Sequence, residues 1–166
     1  KEGGAKAHRS CGIHIHVDGA NHNPKSLRRL VNFMTSRQDL IYEALEIGDR
    51  ESSWCHKLNS NLLIAMKKDK DITKVKAEEI WYSRANDGYC GGIDHQHYNT
   101  TRYHGVNLHS YFTKGTVEFR LFNSTLHAGK IKAYIQFCLA VSAWSITSQE
   151  KIVFRSMAGY TPEQKV

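Results

Sequence analysis

The chain has 166 residues, of which 40% are hydrophobic and 23% charged. That is enough for one domain with its own core and too apolar for a disordered segment. The net charge of +7, with ten histidines uncounted, favours anionic partners such as nucleotides, phosphates, acidic peptides or nucleic acid, and no apolar run approaches the ~20 residues that span a bilayer.

The polar start, 1–10, does not read as a signal peptide. Residues 11–18, Cys-Gly-Ile-His-Ile-His-Val-Asp, alternate strictly and predict a strand. Gly19 to Pro24 reads as a turn, and Asn23-Pro24 as a helix start. Leu27, Leu30, Val31 and Met34 follow at helical spacing. A second helix is expected over 37–47, ended by Gly48, and a third over 52–66 around Trp54, Leu58 and Leu62. The lysine-dense stretch 67–76 reads as a solvated face without the aromatic residues of a nucleic-acid surface. Residues 78–82 predict a short helix and 86–101 a polar loop.

Two strands are expected next, 103–112 and 116–122, joined by a turn at Thr113-Lys114-Gly115. In the first, Val106, Leu108 and Phe112 would face the core, and Asn107, His109 and Tyr111 away from it. The best helix is 128–147, with Ile131, Ile135, Cys138, Leu139 and Ser142 as its buried stripe and 137–144 as a buried face. The four cysteines, Cys11, Cys55, Cys90 and Cys138, have no C-x-x-C spacing. They read as free thiols in a reducing, cytoplasmic compartment, with Cys11 and Cys138 as small core residues.

Strand alternation sorts the chemistry. In 11–18 it puts Ile13, Ile15 and Val17 on one face and His14, His16 and Asp18 on the other. Residues i and i+2 on one face lie roughly 6.5–7 Å apart, so two imidazoles there can touch one metal ion. In 116–122 Val117, Phe119 and Leu121 share one face, and Thr116, Glu118 and Arg120 the other. A carboxylate completes a metal site, and a guanidinium clamps a phosphoryl or carboxylate group. Asn107 would line the same polar face if the three strands share a sheet. The Asp94, His95 and His97 loop, beginning near Cys90, reads as polar surface rather than as a metal site.

The Cys-Gly-Ile-His-Ile-His-Val-Asp strand, the Thr-Val-Glu-Phe-Arg-Leu-Phe-Asn-Ser-Thr-Leu strand and the long helix after it resemble the amidoligases of bacteria and their phages, distant relatives of glutamine synthetase. The resemblance is specific over about 10–20 and 102–146 and loose between. It implies an α+β fold with a curved antiparallel sheet and helices packed on one face. It further implies ATP-dependent amide bond formation through an acyl phosphate, with Mg²⁺ or Mn²⁺ as the metal. By the same resemblance His14 and Glu118 are metal ligands. Glu118, His16 and Arg120 are the catalytic residues, and His16, Asn107 and Arg102 meet the nucleotide. The expected partners are carboxylate and amine substrates, small molecules or peptides, with no membrane or nucleic acid involved.

Two features depart from the family pattern. No strand with paired glutamates precedes His14, and the arginine-rich box before the Glu-x-Arg strand is reduced to Arg102 and Asn107. A single domain over 1–166 is therefore expected to be a fragment lacking the N-terminal glutamate-bearing strands. One sheet edge would be left exposed, or covered by another copy or by the rest of a longer chain. The rival readings are a metal-dependent hydrolase built on His14-x-His16-x-Asp18, with His22 and His97 as recruits, and a non-catalytic fragment that keeps the fold.

Overall fold

The first strand of the protein, β1 (Gly12–Asp18), forms where the Ile13, Ile15 and Val17 alternation predicts it. The computed structural model describes residues 3–8, 10–86 and 92–149. Cys90 and residues 150–166 of the expected 1–166 domain lie outside them. Among the described residues the fold is α+β. Three antiparallel strands, β1, β2 (Val106–Asn107) and β3 (Thr116–Asn123), lie in the order β1-β3-β2. β1 is thus an edge strand and β3 the centre. No described helix is long and apolar enough to cross a membrane.

The register of β1 on β3 is broken once. Ile15 faces Phe119 and Val17 faces Val117, but Ile13 faces Phe122, so Arg120 and Leu121 stand opposite the single residue His14. Such a bulge re-aims the side chains after it. Simple alternation aligns Leu121 with Phe119; the bulge instead makes Phe122 the partner of Ile13 on the apolar face. There Phe122 stacks on Tyr134, with centroids 4.4 Å apart, and meets Phe137 edge-on. Gly12 has its own reason: a methyl group at its Cα would collide with the Arg50 guanidinium. That group donates to Phe122 O at 2.7 Å and Arg120 O at 3.2 Å, holding the bulged part of β3.

The helices supply the rest of the core. α1 (Pro24–Ala44) starts at a capping box between Asn23 and Ser26, with Pro24 in its first turn. It is one helix where two are expected, because nothing at residues 35–37 breaks it. α2 (Ser60–Lys67) is shorter than the expected 52–66 helix. His56 N instead donates to Tyr103 O at 2.7 Å and His56 O accepts from Gly105 N at 2.9 Å, so the backbone before α2 is committed to a bridge, and Trp54 stays half exposed. α3 (Lys74–Trp81) starts inside the stretch expected to be solvated, capped by Thr73.

The 103–112 strand is the main correction. Only Val106–Asn107 pairs with β3; α4 (His109–Lys114) follows and ends at Gly115, whose φ of 74° caps it in the left-handed region. His109 and Tyr111 are therefore buried rather than outward. α5 (Ala128–Thr147) forms as expected, but its buried face is Tyr134, Phe137, Cys138, Val141, Ser142 and Ser145, while Ile135 and Leu139 are exposed. α5 packs on β1 and β3, and α1 packs chiefly on α5 and α2. Arg29 of α1 ties the end of α5 by donating to Ser145 O and Ile146 O at 2.6 and 3.1 Å. Cys55 and Cys138 are buried; Cys11 is exposed, because it precedes β1 rather than lying in it.

Candidate active site on the central strand

Because β3 is central, one of its residues meets both neighbours. Glu118 faces His16 of β1 across one ladder and Asn107 of β2 across the other. Its carboxylate is buried, with side-chain exposure of 6%. Oε1 lies 3.0 Å from His14 Nδ1, 3.1 Å from an Arg120 terminal nitrogen, and 3.6 Å from His16 Nε2, beyond hydrogen-bond length. Oε2 accepts from Asn107 Nδ2 at 2.6 Å. Arg120 is also buried, lies 5.6 Å over the Tyr103 ring, and donates its backbone N–H to Gly105 O at 2.7 Å.

The protonation states follow from these contacts. Burial opposes ionisation of Glu118, but the His14 hydrogen bond, the Arg120 charge and the Asn107 amide outweigh it and hold the carboxyl down at about 2. It is anionic at neutral pH. Burial lowers His16 below its ordinary value, against the opposite pull of Glu118 and with Lys114, His14 and Arg120 adding to the decrease. Its ring is fixed from behind: Nδ1 bonds Thr116 Oγ1 at 2.8 Å and Ser110 Oγ at 3.3 Å, and those two hydroxyls bond each other at 2.9 Å. Nε2 is the nitrogen left on the Glu118 side.

The structure brings together His14, His16, Asn107, Glu118 and Arg120. Arg102 lines the same small pocket as Asn107 and Glu118, between the rings of Tyr98 and Tyr103 and donating to His97 O. Asp18 is elsewhere: its Oδ1 accepts from Ala20 N at 3.0 Å and shapes the turn after β1. His22 is buried with both ring nitrogens on hydroxyls, Ser26 at 3.0 Å and Ser142 at 2.9 Å. A hydrolytic His-x-His-x-Asp site thus loses its carboxylate and one recruit. His95 of the polar loop is held on Glu78 at 2.6 Å.

Ser110, Tyr103 and Arg50 serve this site without any sequence motif to announce them. Thr116 was legible only as the polar-face residue one pleat before Glu118. Two imidazoles beside one carboxylate offer a mixed nitrogen–oxygen donor set, which admits Mn²⁺ more readily than Mg²⁺, an ion that favours oxygen ligands. Among the described residues no group of three or more His, Cys, Asp or Glu side chains is arranged to hold a metal ion by itself. The donors present would have to be completed by oxygen ligands from elsewhere.

A family model described as "Putative amidoligase enzyme" matches residues 1–142. The chain belongs to the amidoligase family. No curated protein and no solved structure matches it. In this amidoligase the matched stretch contains β1, β2 and β3 with every residue of the Glu118 cluster, and it stops within α5.

Proposed function

We propose that this amidoligase is an ATP-dependent carboxylate–amine ligase, forming an amide bond by way of an acyl phosphate. The observation that carries the reading is the convergence of His14, His16 and Arg120 on the buried, ionised Glu118. A site that transfers a phosphoryl group needs fixed positive charge and a metal-binding anion beside each other. His14 and Glu118 would hold Mg²⁺ or Mn²⁺, with phosphate oxygens of the nucleotide as further ligands. That cation would neutralise charge on the phosphates. Arg120, kept rigid by Glu118 and Tyr103, contributes a second positive charge at the same place. His16 stays neutral and, with Nδ1 anchored on Thr116, presents Nε2 to the nucleotide.

Glu118→Gln keeps the size and the hydrogen bond from Asn107 and removes the charge. Its expected effect is a loss of about 10²–10³-fold in metal-dependent ATP turnover, together with weaker Mn²⁺ binding read by electron paramagnetic resonance. Wild-type turnover in this variant would refute the role of Glu118. Hydrolysis of a substrate without nucleotide would favour the hydrolase instead, and failure of the wild-type enzyme to hold Mn²⁺ with ATP would mark a non-catalytic module.

A further inference from the structure

The Glu118 cluster has two flanks. β1 supplies His14 and His16 on one side. On the other, toward β2 and α4, lies a pocket of about 160 Å³ whose walls include Asn107, Glu118, Arg102, Lys114 and His109. Its charge is one-sided. Arg and Lys side chains are cationic at neutral pH, whereas the Glu118 carboxylate is already engaged by Arg120 and His14. An anion is therefore favoured beside Arg102 and Lys114.

Asn107 narrows the ligand further. It is 1% exposed, and its Nδ2 donates to Glu118 Oε2 at 2.6 Å. An ionised carboxylate only accepts, so the amide cannot be turned round. Its Oδ1 is then a buried acceptor with no partner among the described residues. Buried acceptors are almost always satisfied, so a ligand here should bring a donor as well as an anion. An ammonium donor would sit among the cations of Arg102 and Lys114. A neutral amide N–H beside a carboxylate meets both demands, and that pairing is the end of a peptide chain.

We propose that this pocket takes the C-terminal carboxylate of a peptide, with Arg102 and Lys114 on the carboxylate and Asn107 Oδ1 accepting the last amide N–H. The assignment rests on the ligase reading for the use made of the carboxylate. It moves Arg102 and Asn107 from the nucleotide to the acid substrate. The sheet order makes the geometry consistent: phosphates approach from the β1 side and the peptide end from the β2 side, and the two meet over Glu118 and Arg120 of β3. His109 lies at the pocket wall with Nδ1 held by the Tyr82 hydroxyl at 2.7 Å, which makes its ring a fixed reporter of what binds.

The test is a titration of the full chain without ATP or metal, following the His109 imidazole resonances by NMR, assigned through His109→Gln. The probes are N-acetylglycine, glycine, acetate and inorganic phosphate. N-acetylglycine should saturate the shift at a concentration at least fivefold below the other three. Arg102→Gln and Lys114→Gln should each weaken it at least fivefold. Lys114 is exposed at the end of α4, so its variant decides the matter if Arg102→Gln does not fold. Equal binding of acetate or glycine would show that no amide N–H is read and would overturn the proposal. Tighter binding of phosphate would assign the pocket to the nucleotide, and no saturable shift with any probe would remove the site. Because nucleotide is left out, loss of ATP turnover elsewhere cannot mimic any of these results.

Discussion

At the scale of the residue, Glu118 is at once the most connected carboxylate of the site and part of a buried ion pair. Its Oε1 lies 3.1 Å from Arg120, and both side chains are 6% exposed or less. Truncating one member of such a pair strands the other charge away from water, which costs about 3–5 kcal/mol. Glu118→Ala is therefore expected to destabilise the fold by that amount, read as a lower urea midpoint with an unchanged slope. A loss below about 1 kcal/mol would mean that Arg120 reaches water when its partner is gone. From the sequence alone a polar-face glutamate on a strand reads as removable without damage. Burial by β2 and by Tyr103 changes that reading; Glu118→Gln also leaves Arg120 without its counter-charge, but it keeps the side-chain volume and the Asn107 contact and is the milder probe of function.

At the scale of the element, the transition from α4 to β3 sets the site. Gly115 ends α4 at φ 74°, and Thr116, the residue that anchors His16, follows at once. A Cβ in the left-handed region costs about 1–2 kcal/mol. Gly115→Ala should lower stability by that amount and loosen the His16–Thr116 bond, seen as a shifted His16 imidazole resonance; a stable variant with an unmoved resonance would contradict this. The same junction marks where the sequence stops being legible. β1, β3 and α5 could be read from it because strict alternation and a long capped run leave one interpretation. His14, His16, Glu118 and Arg120 followed, since alternation assigns faces without knowledge of neighbours. Tyr103–Phe112 alternates too, yet only two of its residues find a strand to pair with, and the rest turn into α4. The buried side of α5 was also hidden, because Ile131, Ile135 and Leu139 make the helix apolar nearly all round and periodicity cannot choose a face. The bulge at Arg120–Leu121 depends on Arg50, some seventy positions away, and no local pattern encodes it.

At the scale of the whole molecule, three histidines with lowered basicity sit at joints between elements. His16 ties β1 to Thr116 and Ser110; His22 links the start of α1 to α5 through Ser26 and Ser142; His109 ties α4 to Tyr82 at the end of α3. In each, burial is the leading cause of the decrease, joined at His22 by Arg29 and at His109 by Arg102. A histidine whose folded value lies below its ordinary 6.5 takes up its proton more readily when unfolded. Its contribution is complete above 6.5 and is lost as the pH falls beneath it. Glu118 acts in a lower window. Its carboxyl is ordinarily near 4.5 and is held at about 2 when folded, so its stabilisation is present above 4.5 and disappears as the pH falls toward 2. Since one pKa unit is worth about 1.4 kcal/mol, that second loss is on the order of 3 kcal/mol. The urea midpoint should thus be level between about pH 8 and pH 7, decline from about pH 6.5 as the histidines charge, and fall again below about pH 4.5 as Glu118 is protonated. In Glu118→Gln the second decline should shrink while the first remains. A midpoint that rises on acidification from about pH 7 to pH 5 would reverse the sign required of the three histidines and would mean that at least one of them is stabilised as the cation.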